Sequence, residues 1–232
     1  MKRLVKPELL DDLPHDDPAA IGSRGDIARL NRVMGSGRIL KEHLRQGTGR
    51  QAPRRIVELG AGDGTFMLRL ARQLSREWKS VQVVLVDRRN ALTAETRAGF
   101  AALGWRLETA VADVFDWLQK SDVKTDMMIA NLFLHHFQEK ELARLLALAA
   151  ARTDFFAACE PRRALLPLAF SRMVGLLGCN AVTRHDAAVS VRAGFAASEL
   201  SALWPAKLEW RLQERSAGLF THAFLAERNC AT

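Results

Sequence analysis

The chain has 232 residues, 48% of them hydrophobic, which suits one α/β domain with an appendage and is cramped for two full domains. A net charge of +8 permits attraction to nucleic acid or anionic lipid, but the arginines are scattered among acids rather than grouped into a basic block. Three cysteines without a C-x-x-C pair argue against a disulfide framework and a zinc site, so no metal is expected.

The N-terminal part precedes any strand pattern, and residues 1–52 are predicted to form an arm and a helical cap. Residues 7–18 are acidic and bounded by prolines, as in an extended surface arm. Ser23 and Asp26 resemble a capping box, and the apolar spacing after them predicts an amphipathic helix that ends at Met34. These helices are expected to roof the site described below.

A second helix is predicted at residues 39–44, followed by a linker at residues 47–53. The main domain is therefore predicted to cover residues 53–232. The basic residues at the start have no apolar segment behind them, so no secretory signal is expected and the chain is predicted to be cytoplasmic.

Strand and helix patterns alternate through the main domain. Strands are predicted at 55–59, 81–87, 105–112, 126–130 and 155–159, and helices at 67–78, 91–103, 115–119 and 139–151. This alternation predicts an α/β fold with a Rossmann-like doubly wound sheet. Alternating apolar residues at 208–213 and 221–226, around a turn, predict a terminal antiparallel β-hairpin.

The turn after the first strand reads E-x-G-x-G-x-G from Glu58 to Gly64. Glycines allow backbone angles closed to other residues and let a ligand approach the main chain. A dinucleotide site requires G-x-G-x-x-G/A, and Thr65 stands where its third small residue belongs, which disfavours a nicotinamide oxidoreductase. A turn without a ligand remains the structural alternative.

Polar residues follow three further strands, and ligands of open parallel sheets bind beyond the carboxyl ends of the strands. Asp87 ends the second strand, where a carboxylate can accept hydrogen bonds from ribose hydroxyls. Asp113 ends the third strand and could meet an adenine amino group or cap the following helix. Asn131 ends the fourth strand, just before Leu134-His135-His136.

Two motifs carry a family resemblance. The run from Glu58 to Gly64 resembles motif I of the class I S-adenosylmethionine-dependent methyltransferases, and Leu134-His135-His136 is similar to the ubiquinone and menaquinone biosynthesis methyltransferases. The likeness spans roughly residues 54–161. It implies the seven-stranded methyltransferase fold and S-adenosyl-L-methionine as the methyl donor.

The resemblance also implies roles for individual residues. The methionine part of the donor would be held by Glu58, Gly60, Ala61, Gly62 and Gly64, the ribose by Asp87 with Arg88 beside it, the adenine by Asp113 and Val114, and the sulfonium side by Asn131. Residues 7–14 and 190–195 are similar to methyltransferases encoded beside bacterial type III polyketide synthases. This second likeness favours O-methylation of a small, apolar aromatic or polyketide-like hydroxyl.

Three histidines are candidates for the base that would deprotonate such an acceptor. A phenol is mostly protonated at neutral pH, and a neutral imidazole can take its proton. The candidates are His136, His135 and His185, the last beside Asp186, which could orient the ring or cap a helix. An enol or an acidic phenol would react without a base.

The most apolar stretch outside the sheet is residues 164–179. It is predicted to form one helix within a substrate-side insertion at about 162–205, and it is too short and interrupted to span a membrane. Its apolar faces fit either the wall of a hydrophobic acceptor pocket or core packing and a homodimer interface.

Two other function classes stay open. A nucleic-acid or protein methyltransferase would suit the basic charge. Methyltransferases that act on exocyclic amino groups of bases carry a proline-containing motif after the fourth strand, which places the flipped base. Asn131-Leu132-Phe133-Leu134 lacks these prolines, and the chain has no tyrosine. A protein that binds S-adenosylmethionine without turnover would keep the same donor residues. A small-molecule acceptor is the prediction.

Overall fold

The computed structural model describes residues 1–14, 16–47, 52–120 and 124–229. The strands are β1 (Arg55–Leu59), β2 (Gln82–Asp87), β3 (Arg106–Val111), β4 (Met127–Asn131), β5 (Phe155–Pro161), β6 (Trp210–Ala217) and β7 (Thr221–Arg228). The helices are α1 (Leu9–Asp12), α2 (Pro18–Met34), α3 (Ser36–Gly47), α4 (Thr65–Leu74), α5 (Ala94–Ala102), α6 (Val114–Lys120), α7 (Glu139–Arg152), α8 (Leu165–Ser171), α9 (Ala181–Ala193) and α10 (Glu199–Leu203). Short 3-10 helices cover Leu134–His136, Val174–Leu177 and Lys207–Glu209.

All seven strands form one sheet in the order β3-β2-β1-β4-β5-β7-β6. The first five strands are parallel, while β7 runs antiparallel to β5 and pairs with β6 as a hairpin. This topology confirms the predicted Rossmann-like fold with its terminal hairpin. The strand order reverses between β1 and β4, which is where an open α/β sheet forms its ligand crevice.

The sheet is buried on both faces, because successive residues of its central strands point into two different apolar clusters. Ile56 packs with α4 and α5 on one face, and the next residue, Val57, packs with α6 and α7 on the other. Near-continuous apolar strands are typical of parallel sheets covered by helices on both sides. Leu40 and Leu44 of α3 are fully buried in the first cluster, so α3 is part of the core rather than an appendage.

The start of α2 differs from the sequence prediction. The helix begins at Pro18, and the Asp17 side chain accepts a hydrogen bond from the backbone N–H of Ala19 as its N-cap. Ser23 and Asp26 lie inside the helix and are buried, where they bond to Asn180 at the start of α9. The prediction of a helix start there was wrong, because the polar pair that resembled a capping box serves a tertiary contact.

The stretch at residues 164–179 also differs, since it forms α8 and a separate 3-10 helix rather than one helix. The chain breaks after Ser171, whose hydroxyl donates to the Leu168 carbonyl, and Gly178 ends the segment at a φ of +74°. Several large apolar side chains on its outer side are exposed, including Leu165 and Leu176.

Two sequence predictions fall partly outside the described residues. Of the predicted linker at 47–53, residues 48–51 are not described, and neither is Cys230. The other two cysteines, Cys159 and Cys179, are buried free thiols.

Candidate active site

The turn between β1 and α4 has three glycines in the left-handed region, with φ values of +69°, +56° and +71° at Gly60, Gly62 and Gly64. A Cβ atom on Gly60 would lie 2.1 Å from the Phe133 ring, and one on Gly64 would lie 2.6 Å from Leu85. A Cβ atom on Gly62 would meet nothing within 4 Å. The first and third glycines are therefore required by packing, while Gly62 leaves its backbone open to a ligand.

A cavity of about 850 Å³ lies beside this turn. It extends across the carboxyl ends of β1, β2 and β4 to the N-terminal arm, α2, α8 and α9. Small-molecule sites commonly have volumes of about 300 to 1,000 Å³, so the cavity has room for more than one ligand group. Its apolar wall includes Ile27, Leu30, Met34, Phe170, Val174 and Phe220.

Asp87 joins the end of β2 to the glycine turn. One carboxylate oxygen accepts a hydrogen bond from the Gly62 backbone N–H at 2.8 Å, and the other accepts from the Arg89 N–H at 2.9 Å. The carboxylate thus lies at the cavity edge and also fixes the turn. Arg89 in turn donates to the carbonyls of Leu10 and Leu13, which ties the N-terminal arm to this corner of the site.

Glu58 is buried at the end of β1, and one of its carboxyl oxygens has no hydrogen-bond partner among the described residues. Burial, together with the nearby carboxylates of Asp63 and Asp87, raises the pKa of Glu58 well above its usual value. A buried polar atom without a partner is costly, and Glu58 lines the cavity. An amino group of a ligand placed there would supply the missing partner.

Asn131 connects the sheet to the N-terminal helices. Its side-chain NH₂ donates to the amide oxygen of Asn31 on α2 at 3.2 Å, and its own amide oxygen is buried without a partner in the described part of the chain. Several residues of α2 line the cavity. The helix therefore covers the end of β4.

Asp113 caps α6, which is the second of the two roles that the sequence left open. Its carboxylate accepts a hydrogen bond from the Phe115 N–H at 2.8 Å. Asp113 and Val114 nevertheless line the cavity, next to an edge-to-face pair formed by Phe115 and Phe137 at 5.6 Å. These rings provide an apolar surface beside the carboxylate.

The other predicted donor residues also lie at the cavity, with one exception. Gly60, Ala61, Gly62 and Arg88 line it, whereas Gly64 does not and is instead the N-cap residue before α4. The residues that the sequence predicts for donor binding therefore come from the ends of four strands.

His135 lies in the 3-10 helix after β4 and is buried between two carboxylates. Its Nδ1 atom is 2.7 Å from Glu160, and its Nε2 atom is 3.3 Å from Glu8 of the N-terminal arm. Burial alone would lower the pKa of His135, but the hydrogen bonds and charges of Glu160 and Glu8 outweigh it and raise the pKa to about 9. With these partners the ring keeps its proton at neutral pH.

His136 is partly exposed and lines the cavity. Its Nδ1 atom lies 3.3 Å from the Asp11 carboxylate, and its ring lies against that of His135 at a centroid distance of 4.3 Å. Burial opposes ionisation of Asp11, but the hydrogen bond and charge of His136, with Arg88 and Arg89 nearby, hold the pKa of Asp11 below its usual value.

His185 stands apart from these two. Its side chain is 51% exposed, its Nδ1 atom is 2.9 Å from Asp186, and it is not among the residues that line the cavity. The Asp186 carboxylate accepts hydrogen bonds from the backbone N–H groups of Leu9 and Leu10, so it anchors the N-terminal arm.

Part of the chain matches a known family of domains. Residues 56–153 match the model of a family described as a methyltransferase domain. No curated protein matches the sequence. Residues 56–153 carry a methyltransferase domain.

Solved structures share the methyltransferase fold at low sequence identity. An O-methyltransferase family protein from Burkholderia thailandensis is 17% identical with a TM-score of 0.62, and 92% of this chain covers 61% of that chain. The plantazolicin methyltransferase BamL is 11% identical with a TM-score of 0.66, over 95% of this chain and 93% of that one. Magnesium protoporphyrin IX methyltransferase from Synechocystis is 13% identical with a TM-score of 0.56, over 95% and 91%. The chain thus spans about three fifths of the first of these proteins and most of the other two.

No helix within residues 1–14, 16–47, 52–120 and 124–229 is both long enough and apolar enough to cross a bilayer. The partly exposed α8 is no exception.

Sequence reasoning missed four residues of the candidate site: Glu8, Asp11, Asn31 and Glu160. Three of them come from the N-terminal segment and reach the sheet only in the folded chain, 100 or more residues from their partners. Glu160 could have been found from the sequence, because it is the second-last residue of β5, at the same edge of the sheet as Asp87 and Asn131.

Proposed function

We propose that this methyltransferase transfers a methyl group to a hydroxyl of a small, apolar aromatic or polyketide-like acceptor. The observation that carries the proposal is the large cavity that is lined by the glycine turn, by apolar side chains and by two histidines. When bound, S-adenosylmethionine supplies an electrophilic methyl group. Alignment of that group with the acceptor oxygen provides much of the rate in such a displacement.

The residues at the cavity fit the donor. The unpartnered oxygen of Glu58 suits its amino group, the open backbone at Gly62 suits its methionine part, and the Asp87 carboxylate suits its ribose. Asp113 and Val114, with the rings of Phe115 and Phe137, suit its adenine. Arg88 lines the same edge, and the unpartnered oxygen of Asn131 is left for the sulfonium side. BamL and the Synechocystis enzyme were both crystallised with S-adenosylhomocysteine, which supports this use of the shared fold.

The acceptor side is supported by the composition of the opposite wall. Side chains of α2, α8 and the 3-10 helix after it contribute apolar surface, and His136 lines the same cavity. The likeness of residues 7–14 and 190–195 to methyltransferases associated with polyketide synthases supports the same class of acceptor. His136 is the histidine among the three candidates that is both in the cavity and partly open to it.

Replacing Asp87 with alanine is expected to weaken binding of S-adenosylhomocysteine by about 1.5 to 3 kcal/mol, or roughly 10- to 150-fold, if the carboxylate accepts charge-assisted bonds from both ribose hydroxyls. Isothermal titration calorimetry measures the change directly. Asp116→Ala on α6, whose side chain is largely exposed, is the matched control and should leave the affinity unchanged. Equal affinities for all three proteins would remove Asp87 from the donor site.

The acceptor class is tested by measuring kcat/KM along a series of alkyl-substituted phenols. Each buried methylene should gain up to about 0.8 kcal/mol, or roughly fourfold, while the chain still fits the cavity. Phe170→Ala should flatten the series because Phe170 lines the cavity, whereas Leu176→Ala, which is exposed on the same segment, should not. A flat profile in the unaltered protein, with small polar phenols methylated equally well, would contradict an apolar acceptor.

A further inference from the structure

Three side chains converge at the cavity in an arrangement that neither donor binding nor a single catalytic base explains. Glu8, His135 and His136 each offer one ligand atom, and these three atoms lie within 4.8 Å of one another. All three residues line the cavity. Two nitrogen ligands and one carboxylate oxygen, converging at this spacing, form a recognised set for a divalent transition metal.

Each of these three residues also contacts a second polar group that can fix its orientation. Glu160 accepts from Nδ1 of His135, and Asp11 lies 3.3 Å from Nδ1 of His136. The Ser190 hydroxyl donates to the carboxylate of Glu8. Histidines that bind metals almost always carry such a carboxylate or carbonyl on their second nitrogen, because it fixes the tautomer and the ring orientation.

The supporting groups are themselves anchored. Glu160 is fully buried and also accepts hydrogen bonds from the Phe133 and Leu134 backbone N–H groups. Glu8 is carried by the N-terminal arm, whose next two N–H groups are bound by Asp186. The ligand atoms are thus positioned by three separate parts of the chain rather than by one mobile loop.

The charges of the cluster also favour a cation. Glu8, Glu160 and Asp11 place three carboxylates around two imidazole rings. A divalent ion at Nε2 of His135 would take the place of the proton on that nitrogen, which would leave to bulk water, and would balance most of the negative charge. We propose that Glu8, His135 and His136 bind one divalent transition-metal ion at the acceptor end of the cavity. The ligand set of two imidazoles and one carboxylate suits Zn²⁺ and disfavours Mg²⁺ and Ca²⁺, which prefer all-oxygen sites.

Three protein ligands leave at least one coordination position open, and the cluster borders the cavity, as in catalytic rather than structural zinc sites. This part of the inference rests on the proposed function. The acceptor hydroxyl would take the open position, its O–H bond would break, and the proton would pass to bulk water. A metal ion lowers the pKa of a bound oxygen acid strongly, so neither histidine would have to act as the base.

The test uses the full-length protein after treatment with a chelator and dialysis. Titration with Zn²⁺ by calorimetry, with elemental analysis of the dialysed complex, is expected to show one tightly bound equivalent. Mg²⁺ and Ca²⁺ should not compete for it. S-adenosylhomocysteine is titrated into the same samples. A folded protein that binds S-adenosylhomocysteine but no Zn²⁺ would overturn the metal site alone. A folded protein that does not bind S-adenosylhomocysteine would contradict the proposed function.

Substitutions test whether the ion binds at this cluster. Glu8→Gln and His136→Ala should each weaken Zn²⁺ binding by at least about 10- to 100-fold, and Asp11→Asn, behind His136, by about that factor. The matched controls are His185→Ala, an exposed histidine outside the cavity, and Asp12→Asn beside Asp11, and neither should change the affinity. Unchanged Zn²⁺ binding in both Glu8→Gln and His136→Ala would show that the cluster is only a set of ion pairs that holds the N-terminal arm.

Discussion

Gly62→Val is expected to abolish measurable binding of S-adenosylhomocysteine while the protein remains folded. A Cβ atom at this position meets no neighbour within 4 Å, so the valine side chain would extend into the cavity rather than into the core. It would occupy the space proposed for the methionine part of the donor. Calorimetric titration together with far-UV circular dichroism separates loss of binding from loss of fold.

Backbone strain has to be distinguished from occlusion, because Gly62 has a φ of +56° that a β-branched residue tolerates poorly. Gly104→Val provides the matched control, since Gly104 has a φ of +70°, open space around its Cβ position, and no place in the cavity lining. Both variants should lose similar stability, roughly 1 to 2 kcal/mol or more for a side chain in the left-handed region. Only Gly62→Val should lose donor binding. Normal binding by that variant would show that the glycine turn does not contact the donor.

The residues proposed to bind the donor could be predicted from the sequence to lie together, because their signals are local. The run from Glu58 to Gly64 combines a strand, a glycine turn and a helix start within a few residues, and apolar strands show where Asp87 and Asn131 must lie. Parallel strands bring their carboxyl ends to one edge, so a correct strand order is sufficient to gather these residues. The confirmed sheet order therefore explains why residues from four strand ends meet at one cavity.

The acceptor half could not be predicted in the same way because its contacts join distant parts of the chain. The histidine pair was visible as Leu134-His135-His136, but nothing in the sequence connects His135 to Glu8, 127 residues earlier. Without that contact the sequence cannot distinguish a buried imidazole between two carboxylates from a free base. The neighbour of His185, Asp186, was expected to orient the ring or cap a helix, and it also holds the arm.

Ser23 and Asp26 show the same limit at the level of secondary structure. Their spacing fits a helix start, and the local pattern gave no sign that Asn180 would be their partner. The residues at 164–179 were expected to form one helix on the basis of apolarity alone. Apolarity indicates burial in general and does not mark the residue at which a helix ends, so it could not predict the break after Ser171.

Glu160→Ala is expected to cause the largest loss of stability of any single substitution at the site. Its buried carboxylate accepts hydrogen bonds from the backbone N–H groups of Phe133 and Leu134, at 3.0 and 2.8 Å, and pairs with the ring of His135. It thereby holds the turn after β4, where Leu132 has a φ of +53°, a conformation that an ordinary side chain rarely adopts. Removing it leaves two buried donors and a buried imidazole without their acceptor.

Breaking such a buried pair typically costs about 3 to 5 kcal/mol, which corresponds to a fall in Tm of roughly 6 to 20 °C for a chain of this size. Glu160→Gln should lose less, because its amide oxygen can still accept from the two N–H groups, although its NH₂ cannot accept from His135. Glu209→Ala is the matched control, since Glu209 is 62% exposed and its ion pair with Arg228 should contribute little to stability. Urea denaturation of the four proteins should therefore rank them with the unaltered protein and Glu209→Ala together, Glu160→Gln below and Glu160→Ala last. If Glu160→Ala unfolded together with Glu209→Ala, the turn that carries both histidines would have to be held by other contacts, and the ordered cluster at the cavity would lose its main structural support.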